Sequence, residues 1–160
     1  MVTKIMRIFG LTIGLFCSTL LAFGYYLQYV VGLEPCPLCI IQRVCYALTA
    51  IFGFLLAVFP IRIRLLGSLG ILSTLLGAGT ATRQVWLQHL PKEDVPACGP
   101  GLSYMLETFP LNDVIKELLE GSGECANVSW TFLSFSLGEW SLLVFIVLCI
   151  LFCIALRKKK

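Results

Sequence analysis

The chain of 160 residues contains eight cysteines, and the closest-spaced pair is Cys36-Pro37-Leu38-Cys39. A Cys-X-X-Cys pair does redox chemistry when one of its sulfurs gives up its proton easily. Pro35 and Pro37 suit a chain entering a helix, since proline is tolerated in the first turn. The free N–H groups and partial positive charge of a helix start stabilise a thiolate placed there. Arg43 lies four residues after Cys39, so its guanidinium returns to the same helix face and favours the ionised sulfur. Two other roles are open to the pair: a structural staple, or half of a zinc site. A disulfide closing so small a loop stabilises a fold little. Cys98 and Cys125 are also too far apart to form the second close pair of a zinc ribbon. A reactive dithiol accounts for proline, helix start and arginine together.

Cys98 sits in Pro96-Ala97-Cys98-Gly99-Pro100-Gly101, where prolines and glycines disfavour helix and strand and leave a thiol accessible. Between Cys98 and Cys125, apolar residues at 111, 114, 115, 118 and 119 make one face of an amphipathic helix that stops at Gly121. Such a helix lies along a membrane interface or caps a bundle, and either role keeps the loop near Cys36 and Cys39. On spacing alone, Cys98 and Cys125 form either a structural disulfide or a second dithiol. Thiolates attack disulfides through mixed-disulfide intermediates. Exchange between two neighbouring pairs is therefore the better account.

The elements that position these residues are membrane spans. The chain is 58% hydrophobic and 13% charged, against roughly a quarter charged in a soluble domain. That balance argues against a soluble enzyme, a nucleic-acid binder or a disordered chain. Four stretches free of Asp, Glu, Lys and Arg, at about 8–31, 44–61, 65–82 and 140–156, are long enough to cross a bilayer; the second can start as early as 40. Backbone in lipid must satisfy its own hydrogen bonds, so these spans are helices. The first is longer than a signal-peptide core and has no obvious A-x-A site, so it is expected to stay in the membrane. Lys4 and Arg7, the Arg62–Arg64 link and the tail Arg157–Lys160 hold most of the 12 basic residues and none of the nine acidic ones. Basic residues at span ends mark the cytoplasmic side. Both termini are therefore expected in the cytoplasm, with the connections 32–39 and 83–139 opposite. Disulfides persist on that side. Cys17, Cys45, Cys149 and Cys153 fall within spans and read as small apolar side chains. The expected fold is an all-α membrane protein, a single domain over 1–160. It is a four-helix bundle whose long second connection carries a short amphipathic helix.

The segment Gly32-Leu33-Glu34-Pro35-Cys36-Pro37-Leu38-Cys39-Ile40-Ile41-Gln42-Arg43 resembles the signature of the DsbB family of membrane disulfide-generating proteins. The stretches Arg83–Gln88, Cys98–Gly101, Gly121–Cys125, Trp130–Leu133 and Trp140–Leu142 are similar to the same family, so the resemblance covers nearly the whole chain. It implies a bacterial inner-membrane enzyme that reoxidises DsbA, a periplasmic thioredoxin-fold dithiol oxidase, and passes two electrons to ubiquinone or menaquinone. By position, Cys98 would take the partner's thiolate. Cys125 would resolve that intermediate or pair transiently with Cys36. Cys39 would meet the quinone, with Arg43 orienting it. Some relatives carry a histidine near the place of Gln84, whereas the only histidine here is His89. His89 is given no proton-transfer role, and Gln84 or Arg83 remains for a quinone carbonyl. The rival readings are a paralogous oxidase for another partner, an enzyme of the vitamin K epoxide reductase type, and a non-enzymatic four-span protein with structural disulfides. The Arg43–Cys39 register has no purpose in the last. The only Cys-X-X-Cys opens the second span rather than a late one, against the reductase type.

Overall fold

The computed structural model describes residues 2–91, 93–95, 108–110, 112–113, 121, 123–128 and 130–157. Cys98 and nearly all of the expected amphipathic segment 111–119 lie outside these residues. Four helices dominate the rest: α1 (Val2–Tyr29), α2 (Pro37–Val58), α3 (Ile63–Gln88) and α4 (Leu137–Arg157). Each is long and apolar enough to cross a membrane, yet only 22% of the most apolar stretch of α4 is buried inside the protein. So much exposed apolar surface belongs in lipid rather than water. The protein is an all-α, multi-pass membrane bundle.

The helices run past the charge-free stretches. α1 begins ahead of Lys4 and Arg7, and α3 continues through Arg83 to Gln88. α2 stops at Val58 because Phe59 precedes Pro60, and a residue before proline is driven out of the α region. Pro60–Arg62 then forms a single 3₁₀ turn into α3.

Small residues let the helices approach. A Cβ on Gly10 would lie 2.5 Å from the Gly53 carbonyl, and one on Gly53 would lie 2.9 Å from the Gly14 nitrogen, so α1 and α2 touch backbone to backbone. Gly70 and Gly77 of α3 make room for the Phe152 and Phe145 rings of α4. The Phe145 ring also stacks on Tyr46 of α2, with centroids 4.2 Å apart. Between α2 and α3, the buried hydroxyls of Thr49 and Ser73 share a hydrogen bond of 2.9 Å.

The chain before α4 forms a 3₁₀ turn, Gly123–Ala126, and a hairpin of β1 (Thr131–Phe132) and β2 (Phe135–Ser136), with Phe132 opposite Phe135. Leu133 and Ser134 have φ of 52° and 68°, the left-handed backbone that a tight two-residue hairpin loop requires. Ser136 then starts α4 with a reciprocal cap. Its Oγ accepts from the Glu139 N–H at 3.2 Å, while its own N–H donates to the Glu139 carboxylate at 2.6 Å. The same hydroxyl donates to Gln88 Oε1 at 2.7 Å, which fastens the start of α4 to the end of α3.

Candidate functional site

Cys36 is the residue just before α2, in extended conformation, and Pro37 opens the helix. The Cys-X-X-Cys spacing therefore puts Cys39 at the third helical position, from which a side chain can reach back to the first residue. It does so: the Cys36 thiol donates to the Cys39 sulfur at 3.0 Å, and the Cys36 backbone N–H turns to it as well. This is the geometry in which a Glu usually caps a helix start, with sulfur in place of carboxylate.

Two further elements close over the pair. Gln84, on the last turns of α3, donates from Nε2 to the Cys39 sulfur at 3.3 Å and, at 3.7 Å, to that of Cys36. The turn Gly123–Ala126 brings Cys125 into hydrogen-bond contact with Cys36. Cys125 packs with Cys36, Leu38 and Leu87 in one small buried cluster. The close fit depends on Gly121, at φ +76°, where a Cβ would run into Leu87 and Leu38. Cys36 is the middle sulfur of three. Its hydrogen bond to Cys125 first, then its bond to Cys39 and its burial, push its thiol well above the ordinary range. Cys36 is therefore the proton donor of the group.

Arg43 is hydrogen-bonded to α1 rather than to sulfur, while its charge still acts on Cys39. Its guanidinium donates to Gln28 Oε1 and, at 2.9 Å, to the Gly24 carbonyl, and it lies 5.0 Å from the centre of the Tyr25 ring. Arg43 and Cys39 nevertheless line one cavity of about 1120 Å³, which extends between α1 and α4. Leu20, Leu27, Trp140 and Val144 form part of its apolar wall. Phe23, Trp130, Phe132 and Trp140 form a chain of ring contacts along it from α1 to α4, in turn T-shaped, stacked and tilted, with centroids 5.9 to 6.2 Å apart.

The structure thus brings Cys36, Cys39 and Cys125 together and sets Arg43 in the same cavity. His89 is exposed at the end of α3, where its Nδ1 bonds the Val85 carbonyl at 2.8 Å, and neither it nor Arg83 lines the cavity. The sequence reading overlooked Gln42. Its Nε2 donates to Gln84 Oε1 at 2.8 Å, and both glutamines are buried, at 3% and 4% exposure. A weak signal for it existed: Gln42 is a polar residue beside Arg43, three positions after Cys39.

Sulfurs in mutual contact, one of them beneath several hydrogen-bond donors, are equipped to trade disulfide bonds. Set at the end of an apolar bundle, they make this protein a membrane thiol–disulfide oxidoreductase. Comparison with known proteins narrows the class. The family model "Disulfide bond formation protein DsbB" matches residues 6–155. Disulfide bond formation protein B of Hahella chejuensis is 49% identical over 130 residues, 79% of this chain and 79% of that one. Those of Azoarcus sp. (45% over 138 residues; 84% and 82% covered) and Methylococcus capsulatus (48% over 135; 82% of each) are similar in the same way. The chain belongs to the DsbB family, and it is a disulfide-generating oxidoreductase of the membrane.

Proposed function

We propose that this protein reoxidises a DsbA-type thioredoxin-fold dithiol in the periplasm and delivers the electrons to ubiquinone or menaquinone. It works as one membrane domain, residues 1–160, in a bacterial inner membrane, with both termini cytoplasmic and the cysteine-bearing connections periplasmic. The observation that carries this reading is the contact of Cys125, Cys36 and Cys39 at the wall of a large, mostly apolar cavity.

The chain's own residues account for the steps. The partner's thiolate attacks Cys98 of a Cys98–Cys125 disulfide; that bond breaks, a mixed disulfide forms, and Cys125 leaves as thiolate. The partner's second thiol displaces Cys98 and completes the partner's disulfide. Cys125 then attacks Cys36 of a Cys36–Cys39 disulfide and expels Cys39 as thiolate. Cys98 displaces Cys36 from Cys125, so the outer disulfide is restored and the inner pair holds the two electrons. The Cys36 N–H, the Cys36 thiol and the Gln84 amide receive the charge that develops on Cys39.

The cavity fits a quinone by its donor set and its walls. The guanidinium of Arg43 carries more N–H groups than its two bonds to α1 consume, and the apolar wall suits a ring with a hydrocarbon tail. A quinone held there by Arg43 supplies a two-electron, two-proton acceptor. The test is to mix the purified protein, in detergent with ubiquinone, with a reduced thioredoxin-fold dithiol, following quinone absorbance and partner thiols together. Equal losses, absent in Cys39→Ser, support the relay. Partner oxidation that stops once the protein's own disulfides are spent refutes the quinone step. No exchange at all refutes the reading.

A further inference from the structure

We infer that Gln42 is a positioning residue: it holds the Gln84 side-chain amide so that an N–H, and not the carbonyl oxygen, faces the Cys39 sulfur. The inference rests on Cys39 being the reacting thiolate of the relay proposed above.

An amide has a donor end and an acceptor end of nearly the same shape, so a glutamine beside a sulfur can help or oppose a negative charge there. Gln84 is buried, and both of its ends are engaged. Oε1 accepts from Gln42 Nε2 at 2.8 Å, and Nε2 reaches Cys39 at 3.3 Å and Cys36 at 3.7 Å. Turning Gln84 alone would set its NH₂ against the NH₂ of Gln42 and its oxygen against the sulfurs. Turning both glutamines restores the bond between them, but it still aims an oxygen at Cys39. Once Cys39 carries charge, only the observed arrangement satisfies every group.

The wall behind the amide reinforces it. A Cβ on Gly138 of α4 would lie 3.1 Å from Gln84 Cδ, so glycine there leaves the amide its room. Gln88, one turn further along α3, is held by the Ser136 hydroxyl, which fixes the approach of the two helices. Around the cavity the titratable or charged groups are Glu34, Cys36, Cys39, Arg43 and Tyr46 on and before α2, and Glu124 with the adjoining Cys125 in the following turn. Among the described residues that line it, α1, α3 and α4 add none. The sulfur is thus served by a neutral donor whose direction is set by a second neutral side chain.

Gln42→Glu tests this directly. A carboxylate only accepts, so Gln84 must turn its NH₂ toward the introduced carboxylate and present oxygen to Cys39. When that carboxyl is protonated, its O–H donates to Gln84 Oε1 and the original orientation returns. The measurement is the rate of iodoacetamide alkylation at Cys39 in the reduced protein in lipid nanodiscs, read by mass spectrometry between pH 5.5 and 9 (about that range brackets a buried carboxyl and a thiol). Gln84→Met, which removes the donor with little change of volume, should slow alkylation about tenfold at neutral pH, the scale of a lost hydrogen bond to a charged group. Gln42→Glu should match it near neutrality and approach the unmodified protein as the pH falls. A direct charge effect of the new carboxylate on Cys39 would also relax in acid, so the double variant decides. In the Gln84→Met background, Gln42→Glu should cause less than half of the effect it has when Gln84 is intact. An equal effect in both backgrounds overturns the inference, as does a Gln42→Glu deficit that stays flat with pH. Alkylation needs no quinone and no partner, so failure of the relay leaves this result readable; Cys39 alkylating no faster than Cys36 would instead count against the relay reading.

Discussion

If Arg43 holds the quinone as proposed, the hold of α1 on its guanidinium has a measurable consequence for quinone affinity. Gln28→Leu removes one of the two hydrogen bonds that anchor the guanidinium and leaves its charge in place, with the Gly24 carbonyl and the Tyr25 ring still in contact. Hydrogen bonds to charged groups contribute about 1.5–3 kcal/mol. Arg43 is half-buried, and a released N–H can turn to water, so the lower end of that range applies. About 1.4 kcal/mol is a factor of ten, and the freed guanidinium samples positions from which it no longer meets a carbonyl in the cavity. The KM for quinone should therefore rise about tenfold, while kcat at saturating quinone changes less than about twofold, since the sulfurs are untouched. Steady-state oxidation of a reduced dithiol partner at varied ubiquinone reads both constants. Arg43→Met should be worse in KM than Gln28→Leu. If Gln28→Leu leaves KM unchanged while Arg43→Met raises it, the position of the guanidinium is not set from α1. If kcat alone falls, Arg43 serves the chemistry at sulfur rather than binding.

Other outcomes follow from the same geometry. Cys36 is held as a thiol by Cys125 and Cys39, so in the reduced protein at pH 7 it should alkylate at least about ten times more slowly than Cys39; site-resolved mass spectrometry measures both, and equal rates would refute the assignment of donor and acceptor. Cys98→Ser should abolish disulfide exchange with the partner while leaving reduction of quinone by chemically reduced protein intact, which stopped-flow absorbance separates. Gly77→Ala places a methyl in the Phe145 ring, whereas Gly79→Ala meets nothing within 4 Å. The first should lower the thermal midpoint, and the second should leave it unchanged or raise it, since alanine stabilises a helix by ~1 kcal/mol over glycine.

The bundle was legible because charge and hydropathy alone mark where lipid begins. Arg62 and Arg64 fall at the turn that Pro60 imposes, and Pro35 and Pro37 announce the start of α2 just where it occurs. The Cys36–Cys39 pair at a helix start was equally readable, because the spacing and the proline carry its geometry locally. Gln84 was less legible in its surroundings. Arg83 ends the charge-free stretch, and a rule based on charge stops the span there, while the α3 hydrogen bonds continue to Gln88. Gln42 showed only as a polar residue near Cys39, because its meaning depends on a residue 42 positions away. Arg43 shows a different limit. One helical turn places it on the face of Cys39, where its charge still acts on the sulfur, but nothing local shows that its hydrogen bonds go to Gly24 and Gln28 of α1.

The helix-cap geometry at Cys39 ties reactivity to folding. Negative charge on that sulfur strengthens the bond from the Cys36 N–H and so steadies the first turn of α2. By reciprocity, the ordered first turn steadies the charge by the same free energy. A substitution that frays the start of α2 without touching either cysteine therefore makes Cys39 a poorer thiolate in proportion to the fraying. When Cys39 is consumed in the disulfide with Cys36, a covalent link across the first turn takes the place of that cap, and each turnover of the enzyme exchanges one restraint for the other.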